Sequence, residues 1–132
     1  MRVITPSLST SFQSDKGDAT FPGVHEAQIV PAGTMSRLKS IYVARNDLVA
    51  VASKTVILRF RDGISTSPIM FEILVSVVFG SVFSVPFLNG TASDMVDFPD
   101  SGILFRDGMH IDVNYLDAAD DSRYLITVIY TR

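Results

Sequence analysis

The stretch KTVILRFRDG, residues 54–63, contains the two signals that decide the fold. Val56, Leu58 and Phe60 are apolar and alternate with positions that carry Ile or Arg. Successive side chains of a strand point to opposite faces, so this alternation predicts a half-buried β-strand. An Asp-Gly pair follows directly, and Asp-Gly after an alternating strand is typical of a hairpin turn. We therefore predict a strand that ends in a tight turn.

The tetrapeptide FRDG occurs twice, at 60–63 and at 105–108. Asp tolerates left-handed backbone angles and Gly adopts a positive φ without a Cβ clash, which favours a hairpin at each copy. The sequences after the two copies share little, so we interpret them as two similar turns, with a duplicated module as the alternative, and not as a catalytic signature. The residues assigned a structural role in these turns are Asp62, Gly63, Asp107 and Gly108.

Short apolar stretches separated by turn signals occupy most of the chain from residue 36 onward. The last of them, RYLITVIYT at 123–131, is apolar on both faces and predicts a strand that is covered on both sides. No stretch has a sustained helical period. About seven strands at this spacing predict an all-β protein, built as an antiparallel β-sandwich or a barrel.

The first 34 residues differ from the rest in composition. They are rich in Ser, Thr, Gly and Pro, with isolated apolar residues between them, and their prolines disfavour helix. We predict an extended N-terminal arm over 1–34 and a β-sandwich domain over 35–132. Whether the arm packs on its own domain or on a neighbouring chain stays open. The candidates for contact with a partner are Phe12, Phe21, Val24 and Ile29.

The composition excludes several classes of function. The 132 residues contain no cysteine, so disulfides and thiol nucleophiles are excluded. A net charge of -3 without a basic cluster argues against nucleic-acid binding. Hydrophobic residues make up 47% of the chain, which predicts either an unusually dry core or an apolar surface that another chain covers.

Residues 69–88 are apolar over a length that could cross a bilayer. Glu72, Gly80 and Pro86 interrupt this stretch, and its Val and Phe content favours two buried strands. The first residues lack the apolar core of a signal peptide. We therefore expect no membrane span and no secretory leader.

A search for catalytic and metal-binding residues gives only weak candidates. His25 lies on the arm, and His110 alternates with Ile111 in a strand, so we expect a solvent-facing or interface histidine and no local metal pair. Phosphate-binding and serine-hydrolase motifs are absent. We predict a non-enzyme with no catalytic, cofactor-binding or metal-binding residues. The loop carboxylates, for which a weakly bound cation stays an alternative, are Asp94, Asp97, Asp100, Asp117, Asp120 and Asp121.

The C-terminal part of the chain, roughly 82–132, resembles small all-β virion proteins of tailed bacteriophages. In such chains a strand ending in Pro leads to a GI-x-F-x-DG-x-x-(I/V)-x-V segment, and a final apolar strand ends near a Tyr. The resemblance implies a jelly-roll-like β-sandwich, a role as a structural subunit and no catalytic residues. The matching residues are Gly102, Ile103, Phe105, Asp107, Gly108, Ile111, Val113 and Tyr130.

The resemblance and the arm together suggest a capsid decoration, or cement, protein that binds the major capsid protein lattice. We expect it in the virion, assembled in the host cytoplasm, as a dimer or trimer without cofactor, nucleic acid or membrane. The alternative is a tail, fibre or portal-associated subunit. Two other classes stay open, a carbohydrate-binding module and a small hydrolase or isomerase that uses Asp97, Asp100 or His110.

Overall fold

The computed structural model of this chain describes residues 7–15, 24–45, 54–77, 82–86, 102–116 and 123–132. These residues contain strands, turns and bends but no helix, and hence no helix that could cross a membrane. The all-β prediction is therefore confirmed. The strands are β1 (Leu8–Asp15), β2 (Val24–Val30), β3 (Ser36–Arg45), β4 (Lys54–Arg61), β5 (Ile69–Val77), β6 (Val82–Pro86), β7 (Ile103–Phe105), β8 (Met109–Tyr115) and β9 (Arg123–Thr131).

The strands form two antiparallel sheets. The first sheet has the order β1-β9-β3-β6, and the short β7 also pairs with β3. The second sheet has the order β2-β8-β4-β5. Among the described strands, β4 and β5 are the only paired strands that also follow each other in the sequence. The other paired strands are distant in sequence.

The apolar faces of the two sheets pack on each other as a β-sandwich. Val56, Leu58 and Phe60 of β4 are fully buried in this core, as their alternation predicts. The Phe60 ring stacks on Phe71 of β5, with 4.5 Å between ring centroids. Phe105 contacts both rings in tilted geometry, which joins the first sheet to the second. The first sheet also contributes Leu38, Ile41, Val43, Tyr124, Ile126, Val128 and Tyr130.

A β-bulge in β3 changes which residues reach the core. Strict alternation would put Leu38 and Ile41 on opposite faces, yet both are fully buried. The register of β3 against β9 shifts between Leu38 and Ser40, so β3 has one extra residue there. The extra residue turns the following side chains over, and Ile41 therefore points to the core. On β9, Leu125 is 40% exposed, so the prediction that this strand is covered on both sides is wrong at that position.

The described parts of residues 1–34 are strands of the same sandwich as the rest of the chain. β1 pairs with β9 along its whole length, and β2 pairs with β8. A hydrogen bond between the Ser14 and Tyr115 hydroxyls, at 2.6 Å, also ties β1 to β8 of the other sheet. An extended arm separate from the sandwich is therefore not confirmed: within the described residues, its segments are strands paired with the chain's own domain.

The two FRDG copies form different connections. The first begins a loop, residues 62–68, that joins the paired strands β4 and β5. The hairpin prediction is right here, but the connection is longer than the predicted tight Asp-Gly turn. The second connects β7, which belongs to the first sheet, with β8, which belongs to the second. The hairpin prediction is therefore wrong for Asp107 and Gly108, because the strands on either side of them do not pair. Gly63 and Gly108 both have positive φ, at 140° and 108°.

Candidate functional site

Polar side chains cluster on the face of the second sheet that points away from the core. The alternation that buries Ile111 and Val113 of β8 turns His110 and Asp112 toward this outer face. Antiparallel pairing sets Glu26 opposite Asp112, and Arg61 opposite His110. The polar cluster, as we name it, comprises Glu26 and Gln28 of β2, His110 and Asp112 of β8, and Arg61 of β4.

The burial of His110 and Asp112 is unusual for an outer face. The exposed fraction is 3% for His110 and 6% for Asp112, while Glu26 beside them is exposed. Removing an ionisable group from water costs free energy unless hydrogen bonds or opposite charges compensate. The contacts of these two side chains therefore decide what the cluster can do.

Arg61 compensates one oxygen of the Asp112 carboxylate. Its Nε donates to Asp112 Oδ2 at 3.0 Å, and its Nη2 lies 3.0 Å from the same oxygen. The remaining guanidinium nitrogen, Nη1, donates to the backbone carbonyl of Ser67 at 2.6 Å. Arg61 thus holds the carboxylate in one orientation and ties the loop 62–68 to the cluster.

The other carboxylate oxygen of Asp112 lies at ion-pair distance from the His110 ring but not in hydrogen-bond geometry with it. His110 Nδ1 lies 3.0 Å from Asp112 Oδ1, yet neither atom makes a hydrogen bond to any described group. On the opposite side of the ring, His110 Nε2 lies 3.6 Å from Glu26 Oε2. One ligand atom from each of His110, Asp112 and Glu26 can be chosen so that all three lie within 4.8 Å of one another.

Gln28 fixes the cluster at the end of the sheet. Its Nε2 donates to the backbone carbonyls of Val30 at 2.8 Å and of Gly63 at 2.6 Å. Because Gly63 opens the loop 62–68, this amide and Arg61 hold the loop from two sides. An imidazole next to two carboxylates can bind a cation.

The sequence predictions for His110 and its neighbours were partly right. His110 does face away from the apolar side, but it is buried and not solvent-facing. His25 lies in β2, where its backbone pairs with Val113, and its side chain is outside the described part of the chain. The spacing His110-x-Asp112 on a strand was the available signal, since residues two apart share a face. Glu26 joins them only through strand pairing.

The loop carboxylates Asp94, Asp97, Asp100, Asp117, Asp120 and Asp121 also lie outside the described residues.

The residues proposed for partner contact on the arm have different surroundings. Ile29 is 5% exposed and belongs to the core, so the structure corrects the expectation that it binds a partner. Phe12 is half-buried and packs against the same core. Phe21 and the side chain of Val24 lie outside the described residues.

Exposed apolar side chains mark a second surface, at one edge of the second sheet. Ile69, Met70 and Leu74 of β5 are exposed, Leu74 to 63%, and Ile64 in the preceding loop is exposed as well. β5 is one of the two terminal strands of its sheet among the described residues, and β2 is the other. We name Ile69, Met70 and Leu74 the β5 edge.

No protein-family model matches the sequence, and no curated protein matches it. The function is therefore inferred from the strand order and from the contacts of the described residues.

Proposed function

We propose that this protein is a non-enzymatic structural subunit of a tailed-bacteriophage virion, and that it decorates the capsid. The observation that carries the proposal is the strand order. Counted without the short β7, the eight remaining strands form sheets in the order first-eighth-third-sixth and second-seventh-fourth-fifth. This order supports a jelly roll, an architecture of two Greek keys that viral capsid proteins use. It agrees with the resemblance of residues 82–132 to phage virion proteins.

The β5 edge supports association with other chains. An edge strand carries unpaired backbone N–H and C=O groups, and soluble monomers usually protect such edges with charges or bulges. β5 has one register irregularity, opposite Phe60 and Arg61, and one charged side chain, Glu72, yet its apolar Leu74 stays 63% exposed. A second copy of the chain, or the major capsid protein, can add a strand at this edge and cover the apolar side chains.

The proposed contact surface differs from the arm that the sequence suggested. β1 and β2 are already paired with β9 and β8, so their backbone groups facing those strands are not free for a partner. Among the described strands β1, β2, β5 and β6 each pair on one side only. Compared with β1 and β2, β5 is the one that carries large exposed apolar side chains, Ile69, Met70 and Leu74. We therefore place the lattice contact at the β5 edge.

The test is the number of copies of this chain in purified particles. Quantitative mass spectrometry against the major capsid protein, with immunogold labelling of the particle surface, gives both number and location. Many copies spread over the capsid would support decoration. A few copies at one vertex or on the tail would replace it with the tail, fibre or portal alternative. Absence from the particle would contradict a virion role.

A carbohydrate-binding role has less support from the described side chains. Such sites use aromatic platforms, and Tyr42 is the one exposed aromatic among the side chains that the structure describes. Saturable binding on a glycan array by the wild-type chain, reduced in Tyr42→Ala, would favour this role over the structural one.

A further inference from the structure

We propose that His110, Asp112 and Glu26 form a binding site for a divalent transition-metal ion, with Zn²⁺ as the representative. The site goes beyond the structural role, since neither the strand order nor the β5 edge requires it. The donor set is one imidazole nitrogen and two carboxylate oxygens. Ligand sets that include an imidazole nitrogen suit Zn²⁺ and other first-row transition-metal ions, whereas Mg²⁺ and Ca²⁺ prefer oxygen ligands alone.

The main evidence is two buried atoms that make no hydrogen bond. His110 Nδ1 and Asp112 Oδ1 are both buried, lie 3.0 Å apart and make no hydrogen bond among the described residues. A buried polar atom without a partner costs free energy, so native proteins rarely keep two of them side by side. A metal ion shared between a nitrogen lone pair and a carboxylate oxygen satisfies both atoms at once.

The distances are compatible with one ion. A tetrahedral zinc site has bonds of about 2.0–2.2 Å, which separates neighbouring donors by about 3.3–3.6 Å. The three candidate donors lie within 4.8 Å of one another. The Glu26 carboxylate lies beside Nε2, so its exposed side chain has to move toward Nδ1 to complete the site. Three protein ligands leave a fourth position for water, as in open zinc sites.

Arg61 acts as a positioning residue for the site. It is bound to Asp112 Oδ2 and leaves Oδ1 directed at His110. Outer hydrogen bonds of this kind orient the carboxylates that ligate metals.

The neighbouring cation on the same face, Arg59, is paired with Glu72 at 3.0 Å, so its charge is largely compensated. With a neutral His110, the two carboxylates and Arg61 sum to a charge of about −1, which favours a cation.

The experiment uses the full-length chain, without an affinity tag and stripped of metal with a chelator. Co²⁺ is titrated first, because its visible absorption reports the coordination geometry, and Zn²⁺ then competes for the same site. We expect one ion per chain, displacement of Co²⁺ by Zn²⁺ and a higher melting temperature with Zn²⁺, because the ion binds the folded state. Mg²⁺ at the same concentration should change neither signal.

The variants distinguish this site from metal bound elsewhere. Glu26→Gln removes an exposed ligand and should fold normally while weakening Zn²⁺ binding by at least about tenfold. Glu72→Gln is the matched control, an exposed glutamate of the same sheet face, and should bind Zn²⁺ like the wild type. His110→Gln should abolish the Co²⁺ spectrum, whereas His25→Gln should preserve it. Absence of binding at one ion per chain, or equal affinity in Glu26→Gln and the wild type, would overturn the proposal.

Discussion

Arg61 and Arg106 occupy the same position of the repeated FRDG tetrapeptide, but their surroundings differ. Arg61 contacts the buried Asp112 carboxylate, whereas Arg106 is exposed. The repeated aspartates differ in the same way. Asp62 Oδ1 accepts a hydrogen bond from the Asp107 backbone N–H at 2.8 Å, and Asp107 Oδ1 accepts one from Gly33 N–H at 2.7 Å. The first copy of the tetrapeptide thus holds the second, which in turn holds the turn before β3.

The two arginines provide a matched pair of substitutions. Arg61→Met leaves the buried Asp112 carboxylate without its cation, and we expect it to lower the free energy of unfolding by about 2–3 kcal/mol. Arg106→Met should change it by less than about 0.5 kcal/mol, as is usual for exposed positions. Urea unfolding followed by circular dichroism measures both. Equal effects of the two substitutions would show that the Arg61–Asp112 pair does not stabilise the fold.

Two glycines with positive φ allow the cost of backbone strain to be compared with the cost of steric crowding. Gly33 has φ of 86° and no atom within 4 Å of the place where a Cβ would stand, whereas a Cβ on Gly108 would lie 3.0 Å from the carbonyl oxygens of Val30 and Pro31. Gly33→Ala should cost about 1–2 kcal/mol from the left-handed backbone alone. Gly108→Ala should cost at least about 1 kcal/mol more, because backbone atoms must move. Thermal melting of the two variants compares them, and similar losses would argue against a crowded turn at Gly108.

Individual strands were predictable from the sequence, but their partners were not. The alternation in β4 assigned its buried face, because side-chain direction along a strand has a fixed period. β9 is apolar on both faces, so its exposed face at Leu125 was missed. The bulge at Leu38 and the pairing of β2 with β8 depend on contacts between distant segments, which no local pattern encodes. For the same reason the sequence indicated the side of the sheet to which His110 points but gave no indication of Glu26 beside it.

The next prediction concerns whole strands, and it is that the sandwich needs β1 and β2 to fold. A chain lacking residues 1–30 loses β1 and β2, which exposes the pairing edges of β9 and β8 and part of the core. We expect no cooperative thermal unfolding from this truncated chain. The substitution Ile29→Ala keeps both strands and should fold, with a stability loss of about 2–4 kcal/mol for a buried side chain. A truncated chain that still melted cooperatively would show that the sandwich folds without its first two strands.

At the scale of the whole molecule, the two outer faces of the sandwich differ in what they present. The second sheet carries the polar cluster and, beside it, the β5 edge with exposed Ile69, Met70 and Leu74. The first sheet exposes Tyr42 and Leu125. A closed symmetric oligomer buries the same surface of each copy, so a single exposed edge per chain suffices to form it. The apolar excess of the composition is then partly explained by association.

The measurement that most directly tests the proposed association through the β5 edge is the native mass of the chain, by light scattering or native mass spectrometry at several concentrations. A single chain has a mass of 14.4 kDa. We predict a dimer or trimer for the wild type and for Leu125→Lys on the opposite sheet. Leu74→Lys should shift the mass toward that of one chain, because it places a charge in the β5 contact. A wild-type chain that stays monomeric at all concentrations, or an oligomer that Leu74→Lys leaves intact, would contradict association through the β5 edge.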